Sequence, residues 1–450
     1  MAGNIQLMWV PMGAKILACL LPLILAQPLV AEAQVVLPGV RLPAGGLQNL
    51  PLNAQRTLSG LSNDLDPRRL EDLRLLHVRD LLRTHRREVE ADPSGAPILR
   101  GEVVAFSPTD AALERARAVG FNVARERVLE GLDARLVVLQ APRGMSTRRA
   151  LERLRGLDPD GAYDFNHLYM DSGVVGKAAD EPPVGAAQAP THSDVAVKVG
   201  LVDGGVDTSH AVFRDIVIHQ HGCSGTPVPA AHGTAVASLM IGRSPQFHGA
   251  APGSELYSAD VYCGSATGGA VDAVADALAW LVRERVPVIN VSLVGPPNAM
   301  LENVVRMVIA RGHVIVAAVG NDGPAAPPLY PASYPDVVGV TAVDAHQRAL
   351  LEACRGKQVK FSAPGADMSA ANPAQSYAVV RGTSFASPIV AGLLAEALSQ
   401  PDRAAAQRAV SDLAAHAVDL GAPGPDPIYG FGLVGGDLRP ELALVGRRSN

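Results

Sequence analysis

Aromatic residues are scarce in this sequence, at 4% of 450 positions. The hydrophobic content is nonetheless 48%. A sizeable core must therefore be built from aliphatic side chains rather than rings. Charge of either sign is also in short supply, with a formal net of only −5. No basic domain is present, which excludes nucleic acid as a partner. Cysteine occurs four times, with no CxxC pair and no His/Cys cluster to suggest a metal. Beyond residue 25 no apolar run is long enough to span a membrane. The length exceeds one ordinary domain and fits two or three.

Residues 1–33 read as a secretory signal, which predicts a secreted or periplasmic protein. Lys15 gives a positive start, Ile16 to Leu25 an apolar run, and Ala31-Glu32-Ala33 the small residues of a cleavage site. Once the signal is removed, Cys223, Cys263 and Cys354 remain. An oxidising compartment allows one disulfide and one thiol. Cys223–Cys263 is the expected pair, since both lie in turn-rich, glycine-containing sequence; the alternative is three unpaired cysteines.

Residues 34–95 form an irregular arm followed by a basic amphipathic helix. Asp66-Pro67 suits its start, with Asp as cap and Pro at the first helical position. Arg68 to Arg87 is crowded with Arg, His and Leu. Such a helix is either solvated or aimed at a membrane surface or an acidic partner. Residues 96–172 alternate in the order β-α-β-β-α-β, with strands near 101–106, 121–124, 136–139 and 162–169 and helices over 109–119 and 146–157. That order predicts a small α+β, ferredoxin-like domain. Residues 173–194 are rich in Pro, Ala and Gly and read as a linker. From 195 to 440, apolar runs at 197–202, 286–291, 314–319 and 337–343 alternate with helices at 234–241, 271–285, 299–311 and 384–398. Continuous apolar strands between helices predict an α/β fold, a parallel sheet in three layers.

Ligands bind such sheets beyond the carboxyl ends of the strands. Four residues fall there: Asp203 after an apolar run, His232 opening a helix, Asn321 after another run, and Ser384 opening a second helix. Each alone has a plain reading, as a turn former, a structural histidine or a cap. Together they are an acid, a base, an amide and a hydroxyl. The three reactive ones follow the chain order Asp, His, Ser of one known type of nucleophilic triad.

The blocks around these residues resemble the subtilisin-like serine peptidases: Val199-Gly-Leu-Val-Asp203-Gly-Gly-Val-Asp, His232-Gly-Thr-Ala-Val-Ala, Ile289-Asn-Val-Ser-Leu, Ala317-Ala-Val-Gly-Asn321-Asp-Gly and Gly382-Thr-Ser384-Phe-Ala-Ser-Pro. The resemblance covers roughly 195–436. It implies a serine endopeptidase working through an acyl-enzyme, with Ser384 as nucleophile, His232 as base and Asp203 as its orienting acid. It implies an oxyanion donor in Asn321, with the Ser384 N–H as second donor. It further implies a peptide cleft walled by Ser292, Leu293, Val294, Gly295, Ala318 and Gly320. Val294 stands where the family usually has Gly, so crowding of that cleft is expected. His192, His210, His219, His221 and His248 compete for the base role, and His210 reads as structural.

The ferredoxin-like unit then resembles the family's propeptide, an intramolecular chaperone and inhibitor for the peptidase. Asn166 to Gly173 is expected to reach the active site, with cleavage in 170–194. Expected partners are protein or peptide substrates. No cofactor is required; a structural calcium is possible, though no loop is dense enough in Asp and Asn to assign its ligands. A catalytically silent peptide-binding or chaperone-like protein on the same fold is the alternative.

Overall fold

The computed structural model describes residues 67–179 and 197–440. The signal and the arm up to Asp66 lie outside these residues. The first element is helix α1 (Pro67–Thr84). The N-terminal unit follows as β1 (Val89–Ala91), β2 (Pro97–Phe106), α2 (Asp110–Ala118), β3 (Asn122–Leu129), β4 (Ala134–Gln140), α3 (Thr147–Leu157) and β5 (Ala162–His167). Thr109 and Ser146 cap α2 and α3, accepting from Ala112 N and Arg149 N. The strands are antiparallel. They pair β5 with β2, β2 with β4 and β4 with β3, the split-βαβ order. β1 adds to β2, so the sheet begins before residue 96.

Successive side chains of a strand face opposite sides. Val103, Ala105, Val137 and Leu139 bury against α2 and α3 with Leu113, Ala116, Leu151 and Leu154. Val104, Leu136 and Val138, one residue out of phase, join a second cluster that belongs to the peptidase unit. That two-sided burial is why these strands read as nearly continuous apolar runs.

A tail leaves β5 as β6 (Met170–Asp171) and β7 (Val174–Ala179). Residues 174–179 fall within the stretch expected to be a linker, yet they form a strand. The rest of that linker lies outside the described residues, apart from Gly173.

The peptidase unit comprises β8 (Lys198–Asp203), β9 (Ile218–His221), α4 (Ala231–Ile241), β10 (Glu255–Asp260), α5 (Val271–Arg283), β11 (Val288–Val291), β12 (Leu293–Val294) and α6 (Ala299–Ala310). It continues with β13 (Val314–Ala318), β14 (Val338–Val343), β15 (Val359–Pro364), β16 (Met368–Asn372), β17 (Ser376–Arg381), α7 (Thr383–Glu396) and α8 (Arg403–His416). Seven parallel strands run in the order β15-β14-β13-β11-β8-β10-β9. Helices α4, α7 and α8 cover one face and α5 and α6 the other. The result is the three-layer α/β architecture expected from the sequence. Central α4 and α7 are buried almost all round, which explains their small residues. A Cβ at Gly233 would stand 2.3 Å from Gly204 O, so only glycine lets α4 approach the end of β8. Cys223 and Cys263 form a disulfide, and Cys354 is free and buried.

Candidate active site

The carboxyl ends of β8 and β13 and the N-termini of α4 and α7 converge. Asp203 is the last residue of β8 and fully buried. His232 opens α4 and is 7% exposed. Its Nδ1 lies 2.9 and 3.0 Å from the two Asp203 carboxylate oxygens, and Gly204 N–H donates to one of them at 2.7 Å. This fixes the imidazole with Nδ1–H toward the acid and Nε2 toward the cleft. Burial works against a charged imidazole. The Asp203 carboxylate outweighs it by charge and hydrogen bond, with Asp171 adding to the effect, and pushes His232 up to about 9. Burial raises the Asp203 pKa, with the His232 charge opposing.

Ser384 opens α7 and is fully buried. Its hydroxyl donates to Ser292 O at 3.2 Å and lies 3.2 Å from Ser172 Oγ. His232 Nε2 has no hydrogen bond among the described residues. Pro388 lacks the N–H that would bond Ser384 O within the helix. The Ser292 hydroxyl donates to that carbonyl instead, at 3.0 Å, and Asn290 Nδ2 donates to the hydroxyl at 2.8 Å. Ser292 thus holds Ser384 by both its carbonyl and its side chain.

Asn321 follows β13 by three residues. Its Oδ1 accepts from Thr383 N–H at 3.1 Å, which sets the amide's orientation. Its Nδ2 donates to the Ser172 carbonyl oxygen. The Ser384 N–H, expected as second donor, makes no hydrogen bond to this oxygen.

The cleft holds the chain's own tail. Leu293 and Val294 of β12 pair antiparallel with Asp171 and Met170. Tyr169 N–H donates to Gly269 O at 2.8 Å, and its ring is buried against Gly295 with its hydroxyl on Pro296 O at 2.7 Å. Beyond Gly173, β7 pairs antiparallel with β17. The crowding expected from Val294 does not close this path: its side chain packs into the α5–α6 cluster while its backbone receives Met170. Ala318 ends β13, and Leu329 and Cys354 stand beside Gly320.

Helix α1 lies over the tail. Val78 and Leu81 bury with Leu168, Met170 and Ala270. Arg74 Nε lies 2.9 Å from both carboxylate oxygens of Asp322, the residue after Asn321. The acidic partner of this basic helix is within its own chain. Three features were missed from sequence: Asp322, Phe385 and the pair Asp272/Asp276. The last carried a signal, two acids four apart in a helix that is otherwise apolar until its final Arg283. Asp272 is buried, and Arg125 and Asn166 of the N-terminal unit reach it at 2.6 and 3.0 Å. Burial pushes the Asp272 carboxyl up, but these partners outweigh it and leave it below the usual range.

The competing histidines are held elsewhere, apart from His192, which lies outside the described residues. His210 is buried, with Nε2 on Ser376 O at 3.0 Å. His219 meets Glu255 and His221 meets Asp276. His248 lines a surface hollow with Arg243 and Tyr377. The described residues bring three possible metal ligands together at Cys223, Asp260 and Cys263. The two sulfurs are bonded to each other, and Asp260 accepts backbone N–H from Val228, Tyr262 and Cys263. These residues do not fit a metal, calcium included. No described helix is long and apolar enough to cross a membrane.

A family model described as the subtilase family matches residues 194–432. Subtilisin DY of Bacillus licheniformis is 32% identical over 255 residues, covering 55% of this chain and 92% of its own. Subtilisin E of Bacillus subtilis strain 168 is 31% identical over 260 residues, covering 54% of this chain and 66% of its own. Among solved structures, fervidolysin from Fervidobacterium pennivorans, described as a keratinolytic enzyme related to subtilisin, superposes with a TM-score of 0.63 at 20% identity. That match covers 76% of this chain and 61% of the other, and it speaks to the fold alone. With more than half the chain matched by the family model and a subtilisin aligned over nearly its whole length, the chain belongs to the subtilase family and is a serine endopeptidase.

Proposed function

We propose that this subtilase is made as a secreted precursor, cuts itself between Ser172 and Gly173, and then hydrolyses protein or peptide substrates. One observation carries the reading. The carbonyl oxygen of Ser172 accepts from Asn321 Nδ2 while the Ser384 hydroxyl lies against the same residue. A side-chain amide on the carbonyl oxygen and a hydroxyl beside the same residue's side chain are the groups acyl transfer calls for.

The steps follow from the side chains. Neutral His232 takes the Ser384 proton on Nε2, and Oγ attacks the Ser172 carbonyl carbon. Asn321 stabilises the oxyanion, and Asp203 stabilises the imidazolium. The C–N bond breaks, and His232 returns the proton to the Gly173 nitrogen. Water, deprotonated by the same imidazole, then attacks the acyl carbon; the ester C–O bond breaks, Ser384 Oγ takes the proton back from His232, and Ser172 leaves as a free carboxylate. Every group is the chain's own, so the reading needs no cofactor. The N-terminal unit serves as inhibitor and folding template, supported by the strand it lays in the cleft. With His232 up to about 9, the neutral base is the minor form at pH 7, so self-cleavage should quicken as pH rises.

The silent-binder alternative draws on the missing hydrogen bond between His232 Nε2 and Ser384. N-terminal sequencing of the purified wild type and Ser384→Ala separates the two. A new terminus at Gly173 in the wild type alone supports self-cleavage. An intact chain in both, with no hydrolysis of casein at pH 9, supports the silent binder.

A further inference from the structure

The residue after the cut is pinched from two sides. A Cβ on Gly382 would stand 2.9 Å from Gly173 Cα and 2.8 Å from Asn321 Nδ2. Backbone therefore closes on Gly173 from that direction. From the other, a Cβ on Gly173 itself would stand 2.5 Å from Phe385 Cε2, 3.0 Å from Cζ and 3.2 Å from Cδ2. Carbon atoms pack at about 3.5–4.0 Å. The Phe385 ring is poorly placed to give way. It is fully buried, belongs to the apolar core with Ala386, Ile389 and Val390, and packs on the His232 ring with centroids 5.2 Å apart.

We propose that Phe385 determines specificity by confining the position after the scissile bond to glycine, in substrates as in the chain's own tail. The inference rests on the reading of Ser172–Gly173 as the bond cut by Ser384. The reaction type is fixed by the triad, whereas this preference is fixed by the one side chain that follows the nucleophile.

The location makes a kinetic signature. A residue larger than glycine must push the Phe385 ring, and the ring lies against His232, which hands the proton to the leaving amine. A misplaced proton donor slows the chemical step itself. The penalty therefore appears in kcat, and not only in KM as simple exclusion from a subsite would give.

The test uses enzyme purified after self-cleavage and quenched peptides Leu-Tyr-Met-Asp-Ser-Xaa-Val-Val, with Gly, Ala or Leu at Xaa. The glycine peptide should be cut about tenfold to a hundredfold faster in kcat/KM than the alanine peptide, with leucine slower still. Within the full chain, Gly173→Ala should slow self-cleavage by a similar factor. Adding Phe385→Met, whose unbranched side chain adapts more readily, should restore much of the rate. The wild-type measurements stand even if the double variant folds poorly. Equal kcat/KM for all three peptides overturns this inference and leaves the proposed activity intact. Failure to cut any of them, or equal cutting by Ser384→Ala, overturns both.

Discussion

The seven-stranded sheet of the peptidase unit carries its own helices on both faces, while the N-terminal sheet has its own on one face and shares α5 and α6 for the other. The first core is self-contained. The second is complete only while the two units stay together. Separation would wet Val104, Leu136 and Val138, each worth about 1.5–3 kcal/mol when buried. Around this apolar patch the contacts are ionic and of unequal worth. Arg283–Glu130 and Arg311–Asp133 are largely exposed and contribute little, on the order of 0–1 kcal/mol each. Arg125 reaches the buried Asp272. The contrast fits the division of labour proposed above, in which one unit does the chemistry and the other would set how long the cleft stays closed.

That division can be broken from either side. In the peptidase unit, Asn321→Ala should cut kcat by about 10²–10³ with little change in KM for a peptide substrate. A loss confined to KM would mean the amide binds substrate rather than the transition state. In the N-terminal unit, Arg125→Ala should leave the kcat of the cleaved enzyme unchanged. It should weaken retention of the severed N-terminal unit by about tenfold to a hundredfold, because Asp272 loses its main partner; the Arg is one-third exposed, so the low end applies. Size-exclusion of the cleaved complex over a dilution series would read this. A fall in kcat instead would erase the distinction between the units.

A smaller effect probes where they meet. Asp171 adds to the rise of His232. A negative charge nearby favours imidazolium, so Asp171→Asn should lower the His232 pKa and move the acid limb of self-cleavage to lower pH. Cleavage of an added peptide by the mature enzyme, which no longer holds Asp171, should not move. The smallest effect concerns Cys354, whose thiol burial pushes up to about 12. Iodoacetamide at pH 8 should leave activity unchanged, despite the sulfur's place beside Gly320.

Much of this was legible from sequence because the informative residues are local. Asp203 ends a strand, His232 and Ser384 open helices and Asn321 follows a strand end by three residues, and the parallel sheet brings such ends to one edge. The disulfide followed from two glycine-rich turns. The tail's strand β7 was hidden because its hydrogen bonds go to β17, two hundred residues away, and its Ala and Gly content resembles a linker. Phe385 was hidden because the role proposed for it rests on a distance to Gly173, and no periodicity encodes that. Arg74 pointed toward an acid, but Asp322 is 248 residues distant.

Strand β7 has a bearing on timing. In the proposed self-cleavage it stays hydrogen-bonded to β17 on the far side of the bond that is cut, so hydrolysis alone would not vacate the cleft. Two clocks then run in sequence, one for the cut and one for clearing the fragments. The first is unimolecular and indifferent to dilution. The second depends on fragments dissociating or on neighbouring enzymes digesting them. Activity should trail the appearance of the cut chain on a gel, and the lag should shorten as the precursor becomes more concentrated.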